Sequence, residues 1–510
     1  MITNGNEREV SQVSILAPKD SGMEILGERI EQVAQIAHES GLRPSPTQFI
    51  VTPAHTIYEF ASSAMPGGFS HWTKGRDYYH VKTMYDYGLS KIYELVVNTN
   101  PAMAFLLENN PLIANTTVAA HVLAHVDFFA NNPAFARTNR QMAETVLQNA
   151  QRIEQYRFKY GEDEIEDFLD AALSIKMNFD YYNYDRPDAN QYILMSRQAF
   201  EDAQKKSQRR PSEYDDLLDL GEKKEDKPKG KAPFPYAEEP DLLYFIGNFS
   251  PLPLEDWQKD CLSIIRSEYQ YFLPQMKTKI MNEGWATLWH ARIMRKMGDL
   301  GYITEGESTD FDIMHSGVVS ENRRQINPYL VGWKIWEDID RRFRGIPRQG
   351  DKKVSTWYGD QAEEASLPDD IFAVRSFTDS DHAFVANYLT PNLIDDLELY
   401  TYRLEGDKWL IAERNPEKVK QQLLETGDIR LAFPTITVAQ GGGDYNGNRE
   451  LYLHHSRDQY DLESDWAQKT LQYIYKLWGR PVHLETRNDK EKIVLSCQDG
   501  KEATSITTTL

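Results

Sequence analysis

Apolar residues recur at helical spacing along most of the first 200 positions, so this stretch reads as helix after helix. Helix starts are marked where asparagine precedes proline: Asn100-Pro101 ahead of AMAFLLE, and Asn110-Pro111 ahead of LIANTTVAAHVLAHVDFF. In each, the asparagine is expected to cap and the proline to take the first helical position, whose N–H has no intrahelical partner. Between about Lys205 and Pro240 the pattern collapses into KKSQRRPSEYDDLLDLGEKKEDKPKGKAPFPYAEEP. This charge-rich run, punctuated by Pro and Gly, buries too little apolar area to offset the entropy of ordering, and is expected to be a flexible insertion or linker. Helical periodicity resumes at LEDWQKDCLSIIRSEYQYFL, breaks at Pro274, and continues through QMKTKIMNEGWATLWHARIMRKM. A further capped helix starts at Asn327-Pro328 and runs YLVGWKIWEDIDRRF.

After about Asp369 the texture changes. Short β-favouring runs (IFAVRSF, LELYTYRL, KWLIAE, TITVA, ELYLHH, PVHLET, KIVLSC) are separated by turn residues, with one helical segment at SDWAQKTLQYIYKLW. The fold class expected is therefore α+β: a large, mostly α-helical N-terminal and central domain with a smaller α+β C-terminal domain. Its parts are residues 20–204 and 241–368 for the helical domain, 205–240 for the charged insertion and 369–510 for the α+β domain. Gly441 to Gly443 with Asn446-Gly447 resemble a phosphate cradle, but a strand-like run follows and no Lys-Ser/Thr pair is present, so a hairpin turn is expected.

Composition narrows the function. The 510 residues carry 57 Lys plus Arg against 78 Asp plus Glu, a formal charge of -21, which argues against nucleic acid as a partner. No run approaches the ~20 uncharged apolar residues of a transmembrane segment, and the polar start MITNGNEREVSQVS has neither a basic nor an apolar signal region, so a cytoplasmic location is expected. The two cysteines, Cys261 and Cys497, cannot build a Cys-based zinc site, which leaves His and carboxylate as ligands for any metal. Cys261 falls mid-helix and reads as core.

His121 and His125 lie four apart in AAHVLAHVDFF, which on a helix sets both rings on one face about one turn apart, the spacing that lets two histidines share one ion. Two packed histidines hydrogen-bonded to carbonyls or carboxylates would give the same pattern. Glu283, in NEGWATLWH, sits in an aromatic and apolar helix and needs a cationic partner there: a metal held by the two histidines, or Arg292 or Arg295. His290 is seven residues further, ~10 Å along the axis, and is assigned to a supporting role, orienting a ligand or shuttling a proton. His71 and Trp72, in a polar and aromatic stretch, and His315 in MHSGVV are candidates for lining a cleft. His454 and His455 are adjacent on a strand and face opposite ways.

The segments MPGGFSHWTKG, YDYGLSKIYELVVNTNPAMAFLLENN, AHVLAHVDFFANN, TNRQMAETV, EDWQKDCLSIIRSEYQYFLPQMKTKIMNEGWATLWHARIM, MHSGVV and NPYLVGWKIWEDI together resemble the stage V sporulation protein R (SpoVR) family. That resemblance implies a role in forming the spore cortex, a modified peptidoglycan, or in stress physiology, with other sporulation or stress proteins as partners. A looser likeness links His121, His125 and Glu283 to the ligands of gluzincin peptidases, in which HExxH gives two histidines and a later helix a glutamate. It implies a divalent metal, zinc first. Here Val122 stands where HExxH has its general-base glutamate. The expectation is a regulatory or scaffold protein with a buried metal site; the alternative is a metal-dependent hydrolase of a peptidoglycan-related amide or peptide, with His290 or Glu154 taking the proton.

Overall fold

The computed structural model describes residues 13–16, 21–57, 71, 95–180, 185–208, 233–321, 326–347, 370–405, 408–425, 434–456, 461–487 and 491–509. Helices and sheets together make an α+β protein. Two compact units divide it: Met1–Gln148 with Tyr271–Ala432, and Asn149–Gln270 with Phe433–Leu510. The second unit thus combines a stretch from the middle of the chain with its end, a division different from the change of texture at Asp369.

The first unit has a four-stranded sheet in the order β1-β2-β4-β3, formed by β1 (Val13–Leu16), β2 (Thr47–Thr52), β3 (Leu95–Val97) and β4 (Ala102–Leu107). β1, β2 and β4 run parallel and β3 antiparallel. Helix α1 (Ser21–Glu39) connects the first two strands, as a parallel pair requires. β4 corrects the helix expected after Asn100-Pro101. Six apolar residues are too few for their periodicity to separate a buried strand from a helix, and five of the six are buried beside β2.

Helix α2 (Leu112–Asn131) follows β4, starting one residue later than expected, with Pro111 in the cap position. From Ile113 to Phe129 every residue except Thr117 is buried. A helix apolar all round belongs in the middle of a core, and this one is also long and apolar enough to cross a membrane by length and composition. It is not an uncharged apolar run, since it carries Asp127, His121, His125 and Asn115, and the burial of 89% of its apolar window makes α2 a core helix of this unit.

Helices α3 (Lys279–Asp299), α4 (Glu305–Val318) and α5 (Pro328–Phe343) pack into the same core. Asn327 caps α5 through Tyr329 and Leu330, with Pro328 first in the helix, as expected. Pro274 does not break its helix, which runs Asp256–Lys277; the break comes at Thr278, whose hydroxyl donates to the Pro274 carbonyl at 2.7 Å. α3 and α5 meet backbone to backbone at Gly284 and Gly332. A Cβ on Gly284 would lie 2.2 Å from the Gly332 carbonyl carbon, so nothing larger than glycine fits. IFAVRSF forms helix α6 (Ile371–Phe377) instead of a strand, capped by Asp370 and burying Ile371, Val374 and Arg375 at helical spacing. Helices α7 (Asp381–Tyr388), α8 (Pro391–Asp396) and α9 (Pro416–Glu425) follow, with the hairpin β5 (Thr401–Glu405) and β6 (Lys408–Glu413).

The second unit contains a five-stranded sheet, β11-β10-β9-β8-β7, built from β7 (Thr435–Val438), β8 (Leu451–Ser456), β9 (Val482–Arg487), β10 (Glu491–Cys497) and β11 (Ala503–Thr509). All neighbours are antiparallel except β8 and β9, which the helix Ser464–Trp478 connects. That helix buries Ala467, Leu471, Ile474, Leu477 and Trp478 and ends at Gly479 in the left-handed conformation. The glycine-rich segment is the β7–β8 connection, where a Cβ on Gly442 would come 2.3 Å from the Tyr452 carbonyl oxygen. Of the charged insertion, residues 209–232 lie outside the described residues. The helix Ala189–Gln208 reaches into its start, and near its end Glu239 bridges Val438 through the backbone and pairs with Arg186.

Candidate metal centre

α2 and α3 pack antiparallel, so that His125 meets Asn282 at one end of the contact and His121 meets His290 at the other. Glu283 lies between. Its Oε2 is 3.6 Å from His121 Nε2 and 3.4 Å from His125 Nε2, and the three donor atoms lie within 4.8 Å of one another. These separations exceed a good hydrogen bond. The two carboxylate–imidazole distances match a shared ion: two donors each about 2.1 Å from a tetrahedral cation stand about 3.4 Å apart.

The hydrogen bonds behind the rings support the same reading. His125 Nδ1 is 2.8 Å from Asn282 Oδ1, an acceptor, so Nδ1 carries the proton, and in a neutral ring Nε2 would present a lone pair to the Glu283 carboxylate. Two acceptors would then face each other at 3.4 Å in a site where both histidines are about 95% buried. A cation between them turns that repulsion into attraction. The donor set therefore fits a divalent metal of borderline character, with Nε2 of His121, Nε2 of His125 and one Glu283 oxygen as ligands. Phe129 stacks on His125 and the Tyr329 ring lies 6.1 Å from His121, so the surroundings are largely aromatic.

The other sequence-derived residues are distributed as follows. His290 stands against His121, Nδ1 to Nδ1 at 2.8 Å, and its Nε2 is 2.9 Å from His315 Nδ1. Burial first, then the charge of Arg295, holds His315 below the usual histidine range. His71 is buried, and Trp72 lies outside the described residues. Glu154 belongs to the second unit, where it is exposed and paired with Arg157 at 2.6 Å. Val122 is wholly buried in the apolar core. Arg292, one of the two arginines considered for Glu283, pairs with Asp340 at 2.5 Å. Sequence reasoning alone misses Asn282, whose one signal is an amide directly before an acidic residue on an apolar helix.

Support for Glu283 comes from α3's own anchoring. The Asp381 carboxylate accepts from the backbone N–H groups of Ile280 and Met281 at 2.7 and 2.9 Å, at a helix start that lacks a side-chain cap of its own. Burial pushes Asp381 up to about 7 despite those two bonds. Trp336 Nε1 donates to the Met281 carbonyl, and Trp285 Nε1 to Asp127, which also accepts from Arg375.

An α+β protein with a His-His-Glu group between two core helices is the class these observations define. Comparison supplies the family. A family model described as "SpoVR like protein" matches residues 20–431, and one described as "SpoVR-like C-terminal domain" matches residues 434–489. The chain is 29% identical over 500 residues to "Uncharacterized protein YcgB" of Escherichia coli (strain K12), covering 93% of this chain and 94% of that one. No solved structure matches. The chain belongs to the SpoVR-like family.

Proposed function

We propose that His121, His125 and Glu283 hold one divalent cation, zinc before others, and that the protein uses it to hydrolyse an amide or peptide bond. The observation that carries this is the spacing of 3.4 and 3.6 Å between a carboxylate oxygen and two imidazole nitrogens on neighbouring core helices. Among the described residues the group has three ligands, and three protein ligands with a fourth position left over is the pattern of catalytic metal sites. A cation held there would supply Lewis acidity toward a carbonyl or a water. The chain's own groups bind it through two neutral imidazoles and an ionised carboxylate, and the aromatic surroundings limit water. The likeness to a family tied to the spore cortex makes peptidoglycan-type peptides the substrates to try first.

A second reading, a regulatory or scaffold protein with the same metal site, is favoured by the fate of the base. Val122 points into the core, and both nitrogens of His290 are already turned to other histidines. Elemental analysis of chain purified without added metal is expected to find about one equivalent of divalent cation, and none in His121→Ala/His125→Ala. Equal metal content in both proteins refutes the site. With metal confirmed, cleavage of muropeptides that disappears in Glu283→Gln supports the hydrolase, and its absence in the metal-loaded wild type leaves the regulatory reading.

A further inference from the structure

The two histidines of the group are supported in different ways. His125 is backed by an amide oxygen, whose polarity is fixed. His121 is backed by another histidine, His290, which is backed in turn by His315. A neutral imidazole has one donor and one acceptor nitrogen, so in such a line the direction chosen at one end sets every later bond. The line is buried throughout: His121, His290 and His315 are 5%, 3% and 7% exposed. The Phe311 ring lies 6.0 Å from His290 and 5.7 Å from His315, and Trp333 lies 4.9 Å from His315. In so apolar a place a reversed proton would set two donors or two acceptors against each other at under 3 Å.

We propose that His290 and His315 are positioning residues for the His121 ligand, acting as a one-way chain of hydrogen bonds. His121 Nδ1–H donates to His290 Nδ1, and His290 Nε2–H donates to His315 Nδ1. The chain holds His121 in the tautomer whose Nε2 lone pair is turned to the cation, and fixes the ring's orientation. No proton leaves the chain and no bond is made or broken: it sets geometry and donor strength. The inference rests on the reading that a cation occupies the group, and it adds that half of the ligand support comes from two residues that never touch it. Losing the support behind a ligating histidine typically weakens metal binding by roughly 10–100-fold.

The test uses the full-length chain, stripped with chelator and titrated with Co²⁺, whose visible absorption reports both affinity and coordination geometry. His290→Leu is expected to weaken Co²⁺ binding about 10–100-fold and to alter the absorption bands. His290→Asn returns an oxygen acceptor near the place of Nδ1 and is expected to recover most of the affinity. His315→Leu is expected to lose about 3-fold or more in the same direction, and it carries the test if His290→Leu does not fold. Equal affinity and equal spectra in wild type, His290→Leu and His315→Leu overturn the chain while leaving the metal site standing. Equal losses in His290→Leu and His290→Asn also overturn it, because His290 would then serve packing alone. A wild type that takes up no Co²⁺ refutes the parent reading itself, an outcome distinct from the other two.

Discussion

Histidines and carboxylates are brought together in both units, with opposite electrostatic results. In the sheet of the second unit His483 Nδ1 is 2.8 Å from Ser496 Oγ and its Nε2 is 2.9 Å from Glu450 Oε2, while His455 meets Thr486 and His454 meets Glu238. Each short contact joins a donor to an acceptor, and the cluster is complete without an ion. Burial pushes Glu450 up, but the bonds from His483 and Asn446 outweigh it and hold the carboxyl below the usual range; Glu485 is held low in the same way by Lys492 and Tyr452. In the helical core burial wins instead. Asp127 and Asp381 are both raised, even with Arg375 beside the first and two backbone N–H groups on the second. There, too, Glu283 stands back from two imidazoles by 3.4 and 3.6 Å. A histidine cluster alone is no sign of metal; the distances and the direction of each bond separate a network of paired donors and acceptors from a group spaced for a shared ion.

The largest effect expected is the collapse of the helical region alone. Gly284→Ala drives a methyl group into the Gly332 backbone, a contact that no side-chain rotation relieves. Forcing α3 and α5 apart is expected to cost more than ~3 kcal/mol and to lower melting by roughly 6–12 °C. Metal capacity should fall with it, since Glu283 is the adjacent residue. Hydrogen exchange in β9 and β10 should stay as slow as in wild type; faster exchange there would show that the two regions are not separable.

The next effect concerns the sign of the pH dependence. Asp381 has a raised folded-state value, about 7, so its contribution to stability is fully present below the unfolded value near 3.8 and is lost as pH rises through about 7. The loss is of order a few kcal/mol. Glu283 is one of the charges that raise it, so chain stripped of metal should show the decline most clearly. Asp381→Asn, which cannot ionise, is expected to show a flatter profile from pH 4 to 7. An unchanged slope in urea melts across that range would mean that Asp381 is not the titrating group.

How far this contrast could be read beforehand depends on whether the signal is local. The i,i+4 histidines, the acidic residue on an apolar helix and the Asn327 cap are features of single segments, and each is present as geometry in the fold. The strand at Ala102–Leu107 and the helix at Ile371–Phe377 differ from expectation because tertiary burial chooses between two conformations that short apolar runs allow equally. The pairing of His121 with His290 could not be found by measuring along one helix. The ~10 Å that separates Glu283 from His290 on α3 is spanned by the antiparallel α2, a long-range contact without local trace. The partnership of residues 149–270 with 433–510 is hidden for the same reason.

The smallest effect belongs to the sheet, and it has the opposite sign. Because Glu450 is held low in the folded state, its contribution is present above the unfolded carboxylate value and is lost as pH falls through the folded one. Glu450→Gln keeps an acceptor for His483 but removes the charge, so roughly 1–2 kcal/mol of stability should disappear at pH 7, and the difference from wild type should shrink as pH falls through the lowered folded-state value. Second-unit melting followed by hydrogen exchange in β9 and β10 measures this directly. Metal content, Co²⁺ affinity and the decline between pH 4 and 7 should all be untouched, since the Glu450–His483–Ser496 line already satisfies its own donors and acceptors. If Glu450→Gln or His483→Ala instead lowers the bound metal, the ion resides in the sheet, and the contrast drawn from bond lengths fails at its first premise.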